Sequence, residues 1–459
     1  MTIESLLAEH VAEATFDTLP KSSVEAARRS LVDTVMVACG AARTPGMKEA
    51  TRAALSGADG NVSIWHTGQT SSARAAVFLN GLAAAALDYD SIYPDAAVHP
   101  DLIAVPVALS LCEARDGTGR DLLCAIALGG DLMCRLALAT RANTGWFYTS
   151  LYGAVVSAAV TAHLLKCKAP EVMHAMGLGA MNAAGTYQPV KERSLSKRTL
   201  AAFAADSGVL CGQIAAEGYP GPSQWLLGQF GMHSMYEAGD SDTIVRNLGT
   251  VFENERISLK PYPSCQCNHA AIDALLELRA EHSLVAEDVQ SIEAIISPYM
   301  FTLVGAPYAP GMTPQVAAQF SIQYSLARAL LDGEFGIAAI QDAAASDPRA
   351  IELTSRIRVT VDPDNPGNYN PAVVRLTLRN GTVLAQENTV LRGSVDSPLT
   401  SNQLNAKAYD CLMAGGYKIN HAVAGAIVDS LLNVEQESSV SGFMTQIRST
   451  LRGMSSSAE

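Results

Sequence analysis

The stretch that indicates the fold most clearly is Val24-Glu-Ala-Ala-Arg-Arg-Ser-Leu-Val-Asp-Thr-Val-Met-Val-Ala-Cys39. Its apolar residues recur every three or four positions, as in Ala27, Leu31 and Val35, which is the spacing of one face of an α-helix. Asp33 and the two arginines fall on the other side of this pattern, where we expect solvent. The stretch therefore predicts an amphipathic helix that packs against other helices.

Helical patterns of the same kind recur as far as about residue 260. They cover residues 73–87, 103–114, 121–138, 153–165, 170–182 and 200–217. Glycine and proline separate them, most clearly in Gly218-Tyr-Pro-Gly-Pro222. Alanine is abundant and aromatic residues make up only 6% of the chain, which favours closely packed helices over a β-rich fold. We predict an all-helical domain over residues 1–265.

The pattern changes in the next part of the chain. Residues 291–297, 356–361 and 373–378 alternate in polarity or are rich in β-branched residues, as strands are. Asn380-Gly381 predicts a two-residue hairpin turn, and residues 315–332 predict one helix. We therefore predict a smaller α+β lid domain over residues 266–398, with helices in residues 399–459 that complete the helical domain. The fold class is mainly α with an α+β second domain.

Charge and cysteine content exclude several classes of protein. The 459 residues carry a net charge of −13, which disfavours binding to nucleic acid or to an anionic membrane surface. The apolar runs are short and interrupted by polar residues, which predicts buried helices and no membrane span. Nine cysteines, an odd number, lie mostly in apolar stretches, which is typical of reduced thiols. Because the first residues also lack a signal-peptide pattern, we predict a cytoplasmic protein.

A first group of titratable residues follows the run that ends at residue 87. Asp88, Asp90 and Ser91 come directly after it, and His99-Pro100 lies a few residues further on. A carboxylate that orients a histidine is a common device for acid–base catalysis, because the pKa of histidine lies near neutral pH. A polar surface loop with a helix-capping aspartate would contain the same residues, and the sequence leaves both interpretations open.

A second group occurs in Lys260-Pro-Tyr-Pro-Ser-Cys-Gln-Cys-Asn-His269. Proline keeps Lys260 extended, and His269 begins a predicted helix whose N-terminus favours a bound anion. A solvated lysine before an ordinary helix is the alternative. The spacing of Cys265, Cys267 and His269 resembles half of a zinc site, but the chain has no second ligand pair at a suitable spacing, so we predict no metal.

Other motifs add a third basic segment and exclude common cofactors. The run Lys191, Arg193, Lys197 and Arg198 could bind carboxylates or form a solvated loop. Gly177-Leu-Gly-Ala-Met-Asn182 has asparagine where a dinucleotide-binding motif has its third glycine, and it follows a helix. The sequence also lacks a P-loop, a Gly-x-Ser-x-Gly elbow and a His-Glu-x-x-His motif. We therefore predict no cofactor.

Several motifs together resemble the MmgE/PrpD family, which includes 2-methylcitrate dehydratase, cis-aconitate decarboxylase and iminodisuccinate epimerase. In chain order they are Val32-Asp33-Thr34 with Gly40, Ala86-Leu-Asp-Tyr-Asp90 with His99-Pro100, Gly208-Val-Leu with Gly218-Tyr-Pro-Gly-Pro222, Lys260-Pro-Tyr-Pro with His269-Ala-Ala-Ile-Asp273, Gln319-Phe-Ser-Ile-Gln-Tyr324 with Gly333, and Arg392-Gly393. The resemblance covers nearly the whole chain. It implies a helical domain with an α+β lid, a homodimer, no cofactor, and an active site where the two domains meet.

The resemblance also implies roles for individual residues. Asp88, His99, Lys197 and His269 match catalytic positions of the family. Lys260 matches a substrate-binding position, and we assign Asp90, Ser91 and Tyr148 to substrate binding as well. Three positions depart from the family pattern: Asp-Asp-Thr is replaced by Asp90-Ser91-Ile92, and Tyr148 and Leu200 stand where histidines are usual. These departures predict a pocket lining that differs from that of 2-methylcitrate dehydratase.

We therefore predict a cofactor-independent lyase, a dehydratase that takes a proton α to a carboxylate of a small di- or tricarboxylate. Lys197 and Lys260 would bind the substrate carboxylates, and His269 or His99 would be the base. Epimerisation and decarboxylation of a related carboxylate share the same intermediate and remain alternatives. A homologue that binds a carboxylate without catalysis is a further alternative, which the missing histidines suggest.

Overall fold

Helices make up most of the chain before residue 246. The computed structural model describes residues 1–140 and 145–454. The helices of this part are α1 (Ile3–Glu13), α2 (Lys21–Gly40), α3 (Met47–Leu55), α4 (Ala73–Ala86), α5 (Asp101–Arg115), α6 (Gly119–Leu138), α7 (Tyr148–Leu164), α8 (Ala169–Ala180), α9 (Gln188–Lys191), α10 (Thr199–Ala216), α11 (Met232–Met235) and α12 (Ser241–Val245). Two very short strands, β1 (Val62–Ser63) and β2 (Thr70–Ser71), pair between α3 and α4. This pair was not predicted, because two residues are too few to show an alternating pattern.

Small residues allow the central helices to pack closely. A Cβ atom on Gly208 of α10 would lie 2.4 Å from the Cβ of Ser157 on α7, so a larger residue could not be accommodated without a shift. The hydroxyl of Ser157 donates a hydrogen bond of 2.6 Å to the carbonyl of Ala205 across the same interface. A short helical turn directly precedes α10. The combined segment Leu195–Ala216 is long and apolar enough to match a bilayer span, but half of it is buried against neighbouring helices.

The second part of the chain contains a mixed four-stranded sheet. Its strands are β3 (Val289–Ile296), β4 (Ile357–Val361), β5 (Ala372–Leu378) and β6 (Val383–Asn388), and its helices are α13 (His269–Glu281), α14 (Pro298–Val304), α15 (Pro314–Gln319), α16 (Ile322–Asp332), α17 (Asp342–Ala345) and α18 (Pro348–Thr354). The strand order is β4-β3-β5-β6, with β3 and β4 parallel and the other pairs antiparallel. α13 packs against β5 and β6.

Two local predictions in this part were wrong. The turn at Asn380-Gly381 has three residues, because Thr377 pairs with Val383 and Leu378 with Thr382; Gly381 adopts the left-handed φ of +86° that such a loop requires. The single helix predicted over residues 315–332 is two helices, since the hydroxyl of Ser321 accepts a hydrogen bond from the N–H of Tyr324 and caps a new helix there.

The last helices return to the first part of the chain. They are α19 (Ser401–Gly415), α20 (His421–Leu432) and α21 (Val440–Arg452). α19 packs on α2, and a Cβ atom on Gly40 would lie 3.0 Å from the carbonyl oxygen of Cys411. The predicted fold class, mainly helical with a smaller α+β part, is confirmed. The final five residues of the predicted C-terminal segment, and residues 141–144, lie outside the described residues.

The prediction for Asp33 was also wrong. Its position in the helical pattern indicated a polar, outward face, but the side chain is fully buried where α2 meets α19. The ammonium group of Lys407 on α19 lies 2.5 Å from its carboxylate and provides the opposite charge that burial requires. Lys407 is itself buried, so Asp33 forms a buried ion pair with a residue far away in the sequence, where contact with solvent was expected.

Candidate active site

Asp88 lies where α4 ends, in a backbone conformation that is unusual for aspartate. Its φ is +50°, in the left-handed region, and its side chain is almost completely buried. The turn reverses the chain after the long helix and directs the carboxylate inward, while the carbonyl of Asp88 accepts a hydrogen bond of 2.9 Å from Nζ of Lys260. Strained backbone of this kind is retained where surrounding contacts hold it, often at functional sites.

Two lysines from distant segments meet this carboxylate. Lys197, which precedes α10, forms an ion pair with Asp88, and Nζ of Lys260 lies 3.5 Å from the same oxygen and 3.9 Å from Asp90. Burial would raise the pKa of Asp88, but Lys197 and Lys260 outweigh it and hold that pKa below its ordinary value. Burial likewise would lower the pKa of Lys260, but Asp88 and Asp90 raise it. Asp88 and Lys260 are therefore both charged at neutral pH.

Asp90 and His99 form a second pair in the same loop. Oδ2 of Asp90 lies 2.6 Å from Nδ1 of His99, and the carbonyl oxygen of Ser91 lies 3.0 Å from the same nitrogen. Both neighbours are acceptors, so Nδ1 carries a proton. In the neutral imidazole Nε2 is then the basic nitrogen. The backbone N–H of His99 donates a hydrogen bond to Oγ1 of Thr149, and this contact anchors the end of the loop between α4 and α5.

The side chains converge on one cavity between the helical part and the α+β part. It has an empty volume of about 420 Å³. The predicted residues on its wall are Asp88, His99, Lys197 and Lys260. Most of the remaining wall was not predicted. It contains Cys265 and Gln266 and is otherwise formed by aromatic and apolar side chains: Ile92, Ala97, Phe147, Tyr187, Val190, Tyr299, Leu303, Phe320 and Tyr369.

Three of the missed residues are tyrosines, one from the helical part and two from the α+β part. The rings of Tyr299 and Tyr369 pack edge to face with their centres 5.9 Å apart, and Tyr187 lines the same wall. Burial raises the pKa of Tyr187, and Tyr299 only partly offsets this. These phenols are therefore neutral hydrogen-bond donors to any anion in the cavity. Each lies in a separate segment without a motif, so no sequence pattern indicated them.

Ser91 and Tyr148 lie away from this wall in the described part of the chain. The hydroxyl of Ser91 donates a hydrogen bond of 2.6 Å to Asp101, whose pKa burial raises to about 6. Tyr148 begins α7, and its ring lies 6.1 Å from that of Tyr152 on the same helix. The neighbouring Phe147 lines the cavity instead and stacks on His99 at 6.1 Å.

His269 is buried behind the wall, next to Tyr262 and Lys260. Its Nε2 lies 3.2 Å from the carbonyl of Ser264, so this nitrogen is protonated, and its Nδ1 is buried without a hydrogen-bond partner among the described residues. Burial lowers the pKa of His269 well below its ordinary value, and the charge of Lys260 lowers it further. His269 is therefore a neutral imidazole that does not belong to the described cavity lining.

Lys407 binds the backbone of both loops that form the site. Its ammonium group donates hydrogen bonds of 2.9 Å to the carbonyls of Tyr89 and Lys260, and it lies 4.0 Å from the centre of the Tyr89 ring. Its ion pair with Asp33 supplies the countercharge. Thus α19 and α2 fix the distance between the loop that carries Asp88 and the loop that carries Lys260. Because its partners here are carbonyl groups, no side-chain motif could have identified Lys407.

The described residues contain no cluster of three or more histidine, cysteine or acidic side chains that could hold a metal ion. The arrangement instead combines two ammonium groups, a histidine oriented by a carboxylate, and neutral phenols around one small cavity. Such a set can bind carboxylates, move one proton, and stabilise negative charge that develops next to a bound carboxylate.

Comparison with known protein families gives two matches. A family model described as MmgE/PrpD N-terminal domain matches residues 5–244, and one described as MmgE/PrpD C-terminal domain matches residues 262–431. The two matches cover most of the chain, including every residue named on the cavity wall except Lys260, which lies between the two matched ranges. No individual curated protein matches the sequence.

Proposed function

The chain belongs to the MmgE/PrpD family, and from this premise we propose that it is a lyase that removes water from a small di- or tricarboxylate. The observation that carries the proposal is the position of Lys197 and Lys260 on the same cavity wall as His99. The two ammonium groups suit an anionic substrate, and the imidazole suits proton transfer.

The lysines support binding of more than one carboxylate. An ammonium group has three protons, so Lys197 can donate to a substrate oxygen while it remains bonded to Asp88. Its side chain is 14% exposed, whereas that of Lys260 is 1% exposed. Lys197 would therefore contact the substrate first. Lys260, held by Asp88 and by its own loop, would provide a fixed positive charge.

His99 is the proposed base. Asp90 fixes the tautomer with Nδ1 protonated, so Nε2 can take the proton α to a substrate carboxylate. The electron pair of the broken C–H bond moves toward that carboxylate, where the ammonium groups stabilise the enolate-like state. Loss of hydroxide from the β-carbon, with the imidazolium proton delivered to the leaving oxygen, would form the alkene and water. The role predicted for His269 remains a prediction, and its neutral imidazole next to Lys260 suits support of that lysine.

Epimerisation and decarboxylation remain candidate reactions because both use the same proton donor and the same charge stabilisation. A non-catalytic carboxylate-binding protein is the alternative from another class. The Asp90–His99 pair argues against it, since a binding site gains little from an oriented base.

The experiment is an NMR screen in deuterated buffer with citrate, 2-methylcitrate, cis-aconitate, itaconate and iminodisuccinate. We expect either an unsaturated product or deuterium at the carbon next to a carboxylate, and both should be lost in His99→Gln. A shift in melting temperature with a ligand, without turnover or exchange for any compound, would support the binding protein. Turnover that His99→Gln leaves unchanged would reject His99 as the base.

The predicted homodimer and cytoplasmic location remain predictions. Phe203 and Leu210 are exposed on one side of α10, which is a suitable place for a second copy to bind. Sedimentation velocity on the wild type and on Phe203→Glu would check this, because the charge should dissociate a dimer formed through that face.

A further inference from the structure

We propose that Cys265 is a modification site: a reactive thiol on the cavity wall that is alkylated by small electrophiles carrying a carboxylate, among them α,β-unsaturated carboxylates. Modification by α,β-unsaturated carboxylates rests on the proposed function, since dehydration would form such a compound in the cavity. Modification by other electrophiles that carry a carboxylate does not depend on the proposed function.

The position of Cys265 provides the first argument. It lines the same cavity as Lys197 and Lys260, and its backbone is fixed on both sides. Its N–H donates a hydrogen bond of 2.9 Å to the carbonyl of Gln319, and its carbonyl accepts one of 2.9 Å from the N–H of Asn268. The break between α15 and α16, which follows Gln319, leaves that carbonyl available. The thiol is therefore held beside the groups that would bind an anion.

The neighbouring thiol of Cys267 provides the second argument. The neighbouring Cys267, together with the charge of Lys260, lowers the pKa of Cys265, although burial and Asp88 act in the opposite direction. The thiol of Cys267 itself donates a hydrogen bond of 3.6 Å to the carbonyl of Asn368. Burial raises the pKa of Cys267 itself. A thiolate is the reactive form of cysteine, so the pair directs reactivity to Cys265.

The other cysteines differ from Cys265 in their position and in the direction of their pKa shifts. All nine lie in the part of the chain that the structure describes, and none forms a disulfide. Burial raises the pKa of Cys39, Cys112, Cys124 and Cys411. Cys167 is half-buried and lies outside the cavity, and its pKa is also raised by burial. Cys167 is therefore a suitable comparison within the same molecule.

The chemistry is a simple alkylation. With iodoacetate the thiolate sulfur forms a bond to the methylene carbon, and iodide leaves with the electron pair of the broken C–I bond. With an unsaturated carboxylate the sulfur bonds to the β-carbon, the π electrons move to the α-carbon, and that carbon takes up one proton from water or from protonated His99. In both cases the lysines would bind the reagent's carboxylate. Neither step needs an oxidant.

The test compares iodoacetate with the neutral reagent iodoacetamide on the full-length protein, with alkylation at each cysteine followed by peptide mass spectrometry. A lysine that can reach the carboxylate of the reagent raises the local concentration of that anion by about tenfold or more. We therefore expect the ratio of the iodoacetate rate to the iodoacetamide rate to be about tenfold higher at Cys265 than at Cys167. Equal ratios at the two cysteines, or no labelling of Cys265 before the protein unfolds, would overturn the proposal.

Three variants separate the contributions. Lys197→Met should remove the preference for iodoacetate while Cys265 still reacts with iodoacetamide. Cys267→Ala should slow both reagents at Cys265, because it removes the neighbouring thiol that helps to lower the pKa of Cys265. Cys265→Ser should eliminate the modification and leave Cys167 unchanged. If Lys197→Met preserves the preference, the lysine does not steer the reagent and the proposed anion selectivity is wrong.

A second arm uses maleate as the unsaturated probe. We expect a mass increase on the peptide that contains Cys265, and none in Cys265→Ser. Selective iodoacetate labelling without turnover in the NMR screen would reject the dehydratase and keep the modification site. Turnover without selective labelling would reject the modification site and keep the dehydratase. The two proposals can therefore fail separately.

Discussion

Oδ2 of Asp90 lies 2.6 Å from Nδ1 of His99, and both side chains are buried in the loop between α4 and α5. The contact fixes which imidazole nitrogen carries the proton and leaves Nε2 basic. It also places a negative charge next to the imidazolium that forms when His99 takes a proton from the substrate. This relationship is the basis of the first prediction.

Asp90→Asn should lower kcat by about 10²-fold or more, because an amide can present its N–H to Nδ1 and reverse the tautomer. The melting temperature should change little, since asparagine has almost the same size. Steady-state kinetics with the substrate found by the NMR screen would measure this.

Asp101→Asn is the matched control. Asp101 is also a buried carboxylate in this region, but its partner is the hydroxyl of Ser91, and burial raises its pKa to about 6, so its surroundings do not favour the charge. We expect near-normal kcat in this variant. If both variants have equally low rates, general disturbance of the loop would explain the result and the special role of Asp90 would be rejected.

Lys407→Met should reduce both activity and stability. The variant leaves Asp33 buried without its cation, which typically costs about 3–5 kcal/mol, and it removes the hydrogen bonds to the carbonyls of Tyr89 and Lys260. The double variant Asp33→Asn/Lys407→Met removes the buried charge and should recover much of the melting temperature. Activity should remain low in the double variant, because the loops still lack their common donor.

This comparison distinguishes a positioning role from a purely structural one. Thermal unfolding and kcat would be measured on the single and double variants. Recovery of kcat in parallel with the melting temperature would mean that Lys407 acts only through stability.

The helical architecture and part of the site could be predicted because the necessary information is local. Asp88 and His99 lie within one loop, and a carboxylate followed by histidine after a helix indicates acid–base chemistry without any alignment. The convergence of Lys197 and Lys260 came from the family resemblance, because residues so far apart in sequence show no common pattern.

The remaining parts depend on tertiary contacts. Tyr187, Tyr299 and Tyr369 line one cavity wall although they come from three unrelated segments. Asp33 looked like a surface residue because its partner Lys407 lies at the far end of the chain. For the same reason the sequence could not show that Phe147, and not Tyr148, faces the cavity.

Tyr148→Phe and Tyr187→Phe test directly which of these two tyrosines faces the cavity. Tyr187 lines the cavity, and its hydroxyl can donate to an anion there, so loss of the hydroxyl should weaken transition-state binding by about 1 kcal/mol. Tyr148 lies outside the cavity, so its variant should keep kcat/KM close to normal. The family-like variant Tyr148→His should likewise not create dehydratase activity toward 2-methylcitrate. A clear gain of that activity would show that Tyr148 reaches the substrate after all.

The last prediction concerns the pH dependence of stability and rests on His66. This side chain is 4% exposed, its Nε2 lies 2.9 Å from Oγ1 of Thr51, and its Nδ1 is buried without a hydrogen-bond partner among the described residues. Burial lowers the pKa of His66 from 6.5 to about 4. Between these two values the unfolded chain binds a proton at His66 and the folded chain does not. The free energy of unfolding should therefore fall by up to about 3 kcal/mol from this group as the pH decreases from about 6.5 to about 4.

His66→Gln keeps a side chain that can bond to Thr51 but cannot take up a proton. Urea unfolding at several pH values should show that the variant is less stable than the wild type near pH 7, because glutamine fits the buried position less well, and that the difference shrinks or reverses toward pH 4. His282→Gln, at an exposed position on the surface, should follow the wild type at every pH. Parallel curves for the wild type and His66→Gln would show that His66 takes up its proton equally in both states, and that its burial does not set the acid sensitivity of the fold.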